Sequence, residues 1–172
     1  MTSSGIVQRM VRSARVFLVA LAFQAAAASG QAHSADVTAR NEAIVRQAFD
    51  RWAKGGSVFA DLLAPDVRWS IRGSGPVAGT YIGLKDFVER ASAPLVSRLA
   101  TPIVPKVHRI WATGDSVIIR FDGSATTTSG APYANQFVWI FRMADGVVIE
   151  AEAFLDLVAY QQVVDNNQPR SQ

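Results

Sequence analysis

Arg120 and Asp122 have the types and spacing best suited to chemistry in this chain. They lie two apart in an alternating run, so a strand puts both on one face, about 7 Å apart along it. A guanidinium that holds a carboxylate ionised and oriented suits a general base. On an exposed strand face the same two residues are an incidental ion pair worth little. His108 is the one histidine beyond residue 33. It is a candidate acid/base group or an ordinary surface imidazole. A single histidine in a chain without cysteine cannot build a histidine-based metal cluster, so no metal site is expected. Asn135 is placed either to hydrogen-bond a ligand oxygen or to cap a strand end. Tyr81 and Tyr133 offer hydroxyl donors.

These residues depend on the elements around them, above all on the stretch from Asn135 to Asp156. It reads as two strands joined by Ala144-Asp145-Gly146, an Asp-Gly turn between apolar runs. Pairing Met143 with Val147 gathers Asn135, Phe137, Trp139, Phe141, Ile149, Ala151, Ala153 and Leu155 on one face. Large rings then face small alanines, a surface that packs a core or lines a cavity. The other face collects Val138, Ile140, Val148 and Phe154 among charged residues. Asp156 falls on that side, which gives it a structural or capping role.

Upstream, apolar residues at helical spacing predict a helix over Asp36 to Ala53, stopped by Gly55-Gly56. Ser57 can cap a short helix, Val58 to Leu63, ended by Pro65. A strand over Val67 to Ile71 and the turn-rich loop 72–79 lead to a helix from Leu84 to Ala91. Pro94, Pro102 and Pro105 mark a loop. Strands follow at Val104–Ala112, Ser116–Thr127, Pro132–Met143 and Val147–Leu157, then a short helix at Val158–Val164. Helices first and a meander of long strands second imply an α+β domain.

Several activities are excluded. The loop GSGPVAGT has neither the spacing nor the strand-to-helix setting of a phosphate-binding fingerprint, and no nucleotide cofactor is expected. There is no G-x-S-x-G elbow. Without cysteine there is no disulfide, thiol nucleophile or thiolate metal site. The net charge is +3 with 17 basic and 14 acidic residues. Arg9, Arg12 and Arg15 precede the apolar run Val16 to Ala28, and without them the balance is 14 to 14. No basic patch therefore recommends a nucleic-acid partner. Those arginines, an apolar run of about 13 residues and the small-residue segment ASGQAHSA have the three parts of a secretory signal. The expected organisation is a signal peptide over 1–34, a domain over 36–164 and a polar tail over 165–172. The protein is expected to be exported, periplasmic or secreted, and off the membrane once cleaved.

The order of elements, GSGPVAGTYIGLKDF after the first strand and GAPYANQFVWIFRMADGVVIEAEAFLD near the end resemble the SnoaL-like family. That family belongs to the nuclear-transport-factor-2-like, or ketosteroid isomerase-like, superfamily. The resemblance implies a cone: a strongly curved antiparallel or mixed sheet wrapped around N-terminal helices, with an internal pocket. It places Trp69, Tyr81, Asn135, Phe137, Trp139, Ala151 and Ala153 as candidate pocket residues. It implies acid/base chemistry of isomerase, cyclase or hydrolase type in some members and none in others. The isomerase base falls near Ser70 and Ile71, which are not carboxylates, and the isomerase oxyanion acid falls near Trp139, whose indole retains one donor. Limonene-type epoxide hydrolases carry an Arg-x-Asp pair, matched by Arg120-Phe121-Asp122, but their second Asp falls at Ala153. The expectation is a cone holding a small, mostly apolar molecule. Any chemistry would rest on Asp122 held by Arg120, with His108 or Asn135 assisting. The alternative is a noncatalytic module whose cone is plugged by its own rings. A homodimer through the sheet surface is expected in either case.

Overall fold

The computed structural model describes residues 34–170. The expected signal segment falls almost entirely on residues 1–33, outside the described residues. Among those described, no helix is long and apolar enough to cross a membrane.

Helix α1 spans residues 34–52. Asn41, Val45, Ala48 and Phe49 share its buried face, the 3.6-residue pattern of a helix laid on a sheet. Gly55, at φ +94°, takes the left-handed turn that ends it. Asn41 Nδ2 donates to the Gly114 carbonyl at 3.1 Å, and the Gly114 N–H donates to Thr38 Oγ1 at 2.8 Å. These bonds pin α1 to a hairpin turn of the sheet. Helix α2, Val58–Leu62, is capped by Ser57, whose Oγ accepts from the Ala60 N–H at 3.3 Å.

Six strands form one curved, unclosed sheet: β1 Leu63–Ile71, β2 Gly79–Ile82, β3 Val104–Thr113, β4 Ser116–Thr126, β5 Pro132–Ala144 and β6 Val147–Leu155. Their order is β2-β1-β6-β5-β4-β3, antiparallel throughout except for the parallel β1–β6 pair. The helices pack against one face, so the α+β cone is as expected. β1 starts earlier than Pro65 suggested. The register with β6 shifts between Leu63 and Arg68, and that irregular stretch accommodates a residue that cannot donate to the ladder.

The helix expected to stop at Ala91 continues through Pro94. Helix α3, Leu84–Phe87, runs into a π-helical turn, Val88–Ser92, and then into α4, Ala93–Val96. The Ala93 N–H reaches back five residues to the Val88 carbonyl, and Pro94 then occupies the first turn of α4, where its missing N–H costs least. The last helix, α5, is Leu157–Asn166. Its N-cap is Asp156, whose carboxylate accepts from the N–H groups of Val158 and Ala159, the capping role its strand position suggested.

The β5–β6 hairpin differs from the expected register. Ala144 pairs with Val147 around a two-residue turn in which Asp145 and Gly146 have φ +50° and +85°. Both central residues are left-handed, as a type I′ hairpin turn requires. Met143 therefore faces Val148, and a bulge at Ile149 restores Arg142 to Glu150. The bulge corrects two assignments. Val148 is fully buried against the core and does not belong to the outer face, while Ile149 is only half-buried. Beyond the bulge the expected alternation returns, so Ala151 and Ala153 do point inward.

Candidate functional site

The concave face of the sheet and the helices enclose a cavity of about 290 Å³. Central strands supply its floor: Trp69 and Ile71 from β1, Phe137 and Trp139 from β5, Ala153 and Leu155 from β6. Trp52 of α1, Val58 and Phe59 of α2, Phe87 of α3, Leu95 and Val96 of α4 and Tyr160 of α5 supply its sides, with Pro102 and Ile103 at the loop before β3. The space exists because Trp139 faces Ala153 across the hairpin. Rings of the wall are held by stacking on their neighbours. Phe121 stacks on Phe137 at 4.7 Å, and Trp69 stacks on Phe87 at 4.2 Å.

The π-helical turn puts Ala91 and Ser92 on the wall. The Ala91 carbonyl accepts a hydrogen bond from the Tyr160 hydroxyl at 2.8 Å, which ties α5 across the cavity. Among the described residues Tyr160 is the one titratable residue of the lining, and burial pushes its phenol pKa up. Among the described residues the walls therefore hold no carboxylate, imidazole, ammonium or guanidinium.

Two indoles of the cavity floor meet edge to face, with ring centroids 5.1 Å apart. Trp69 Nε1 is sealed from solvent without a hydrogen-bond partner. Phe59 and Trp139 meet its ring near perpendicular, at 82° and 84°, an arrangement that suits weak N–H···π contact. Trp139 is 5% exposed and its ring borders the cavity.

The structure brings Arg120, Asp122 and His108 together, but on the opposite face of the sheet. The Arg120 guanidinium donates to Asp122 Oδ1 at 2.5 Å, and His108 Nε2 lies 2.7 Å from Asp122 Oδ2. Arg120, and secondly His108, hold the Asp122 carboxyl below the usual carboxylate range. Strand parity decides the location. Ile119 and Phe121 are fully buried, so the residues alternating with them point outward. The Arg-x-Asp pair thus does not reach the cavity, and an acid/base role inside the cone falls to none of these three residues.

The expected pocket residues divide. Trp69, Phe137, Trp139 and Ala153 line the cavity; Tyr81, Asn135 and Ala151 do not. Tyr81 donates its hydroxyl to the Val77 carbonyl at 2.8 Å. Ala151 lies buried opposite Phe141. Asn135 is a clasp. Its Nδ2 donates to Tyr133 Oη and the Asp156 carbonyl, and its Oδ1 accepts from the N–H groups of Gln136 and Asp156. Every bond is used, which leaves nothing for a ligand. Burial raises the Tyr133 phenol to about 12. Sequence reading missed the α4 wall, because the Pro94 signal hid the continuing helix, and it missed Tyr160, although the helix that carries it was expected.

Residues 45–151 match the family model for the SnoaL-like domain. The chain belongs to the SnoaL-like family. No curated protein matches it. Similar solved structures include a SnoaL-like polyketide cyclase, so described, from Jannaschia sp. CCS1, at 19% identity and TM-score 0.58, covering 77% of this chain and 96% of that one. An NTF2-like protein from Burkholderia thailandensis E264 is 25% identical with TM-score 0.54, covering 74% and 94%. TerC, crystallised with polyporic acid, is 19% identical with TM-score 0.59, covering 74% and 99%. These likenesses agree with the cone. Within this SnoaL-like domain the positions where active relatives were expected to carry acids hold Trp139 and Ala153, both on the cavity wall.

Proposed function

We propose that this SnoaL-like domain binds one small, mostly apolar molecule in its cavity and does not transform it by acid/base chemistry. The observation that carries this reading is the wall itself: about 290 Å³ bounded by rings and aliphatic side chains, with a carbonyl-bonded phenol as, among the described residues, its one titratable group. A volume near the lower end for ligand sites suits a compact molecule. A general acid or base must lie within hydrogen-bond reach of the reacting proton, and no carboxylate or imidazole of the described residues lines the cavity. TerC, which shares the fold, was co-crystallised with a small molecule, polyporic acid, which is in keeping with this reading. The space left open beside the rings speaks against a fully plugged one.

Mass spectrometry of organic extracts from the purified protein tests the reading. A small neutral compound is expected with the native protein and not with Ala153→Phe, which fills the space beside Trp139. Equal recovery from both proteins would refute it.

We also propose that the protein is exported, supported by the n-, h- and c-region pattern of its first residues, and that a second copy covers the outer sheet face. Trp111, Ile118 and Phe154 are exposed there, 36–47% each, among half-buried Val138 and Ile140. Cell fractionation and light scattering test these two points. Cytosolic retention or a monomer mass at micromolar concentration would overturn them.

A further inference from the structure

The bulk of the molecule that the cavity admits is set by its walls, and strand β4 acts on two of them from outside the lining. Its inner row is Val117, Ile119, Phe121 and Gly123, all buried. The first three fill the interior with side chains, and Gly123 leaves a gap. Its backbone is that of a strand and is not left-handed, so conformation does not call for a glycine there. Close approach does. A Cβ at Gly123 would stand 3.0 Å from Ile103 Cγ2 and 3.0 Å from Phe137 Cε2, nearer than carbon atoms pack. The missing side chain is therefore a seat that Ile103 and Phe137 share. Both line the cavity, and Gly123 does not.

Neither neighbour can simply step aside. Ile103 sits on a short stretch of chain fixed at both ends. Before it, the Ala100 N–H donates to the Thr126 carbonyl at 2.7 Å, and Thr101 Oγ1 accepts from the Thr126 N–H at 2.9 Å. After it, Val104 and Pro105 pair with Ser124 and Gly123. Phe137 is stacked on Phe121, with ring centroids 4.7 Å apart and planes 7° from parallel. A side chain at Gly123 would point to the inner face, as Phe121 does, and lift both residues off the sheet towards the side on which the cavity lies. We infer that Gly123 is a positioning residue for size selectivity: by seating Ile103 and Phe137 it sets the bulk of the molecule that the cavity admits. This rests on the ligand-binding reading above.

Toluene and the bulkier tetralin are the probes. The space is about twice the roughly 150 Å³ apolar cavity that accepts benzene, so the native protein should take both. Dissociation constants are measured with the native protein, Gly123→Ala, Ile103→Ala and the double variant, and the readout is the tetralin-to-toluene ratio. Gly123→Ala should shift that ratio roughly 5- to 20-fold against tetralin. In the Ile103→Ala background, where that half of the seat is empty, the same change should shift it by less than about twofold. A glycine that serves strand packing alone would lower stability and leave the ratio unchanged, and that result overturns the inference while cavity binding stands. An equal shift in both backgrounds overturns the seating of Ile103. Should Gly123→Ala fail to fold, the double variant decides: it should fold and bind tetralin, and its failure to fold overturns the inference. If neither probe binds the native protein, this inference and the ligand-binding reading both fall.

Discussion

Replacing Asn135 with Ala should be among the most destabilising single changes in the protein. Asn135 is 4% exposed and makes four hydrogen bonds, at 2.8 to 3.0 Å. They join the start of β5 to the end of β6 and to the N-cap of α5. Each typical bond contributes about 1 kcal/mol net, and orphaned buried partners add desolvation cost. Alanine supplies no substitute, and the Asp156 N–H and carbonyl lose their partner together. A loss of about 4 kcal/mol is expected, a large part of the ~5–15 kcal/mol that holds an ordinary domain. Equilibrium unfolding in urea measures it, with the m-value unchanged if the native state keeps its compactness. The corresponding drop in Tm is about 10–20 °C. Asn135→Asp should recover little, because a carboxylate cannot donate to Tyr133 Oη or the Asp156 carbonyl. A loss below about 1 kcal/mol in the alanine variant would show that the clasp is not structural.

The outer-face cluster yields a second prediction: Asp122→Asn should leave cavity affinity unchanged. Its effect on stability should be present at neutral pH and disappear as pH falls through the folded carboxyl pKa. The folded carboxyl is held low by Arg120 and then His108. Its contribution is thus present above the unfolded carboxyl pKa and fades as pH falls through the folded value. An altered ligand affinity would place the pair in the binding machinery after all. Tyrosine titration supplies a third. Burial raises all three phenols, Tyr81, Tyr133 and Tyr160, with Tyr133 at about 12. Their contribution is complete below the ordinary phenol pKa and is lost as pH rises through the folded values. Absorbance at 295 nm should show no phenolate step near pH 10, and ionisation should coincide with alkaline unfolding. A reversible step near pH 10 in folded protein would contradict this. Finally, Tyr160→Phe should cost about 1–2 kcal/mol by orphaning the Ala91 carbonyl, read by urea unfolding.

Much of the cone was legible because its strands alternate cleanly. Phe137, Trp139 and Phe141 fall at every second position of β5, and Gly55-Gly56 and the Asp-Gly turn punctuate their elements where turn chemistry says they should. The failures have physical causes. Pro94 announces a break, but a π-helical turn shifts the hydrogen-bond register and lets the helix pass. Ile149 is a bulge, and a single extra residue exchanges inside for outside over a short stretch, which periodicity alone cannot foresee. Arg120 and Asp122 illustrate the limit for sites. Two-residue spacing fixes that they share a face, yet the face is decided by Ile119 and Phe121, which fill the interior. Asn135 shows the converse, since a polar residue on an apolar face announced burial without saying that the backbone would consume every bond.

The central claim is that the apolar cavity is a binding site, and occupancy tests it most directly. Thermal unfolding with tetralin or 1-tetralone, run on native protein and on Ala153→Phe, reports it. Ligand that binds only the folded state stabilises by about 2.7 kcal/mol at one hundred times its Kd. The account predicts a concentration-dependent rise in Tm for the native protein and none for the variant. Equal shifts in both proteins, or no shift in either, would contradict it.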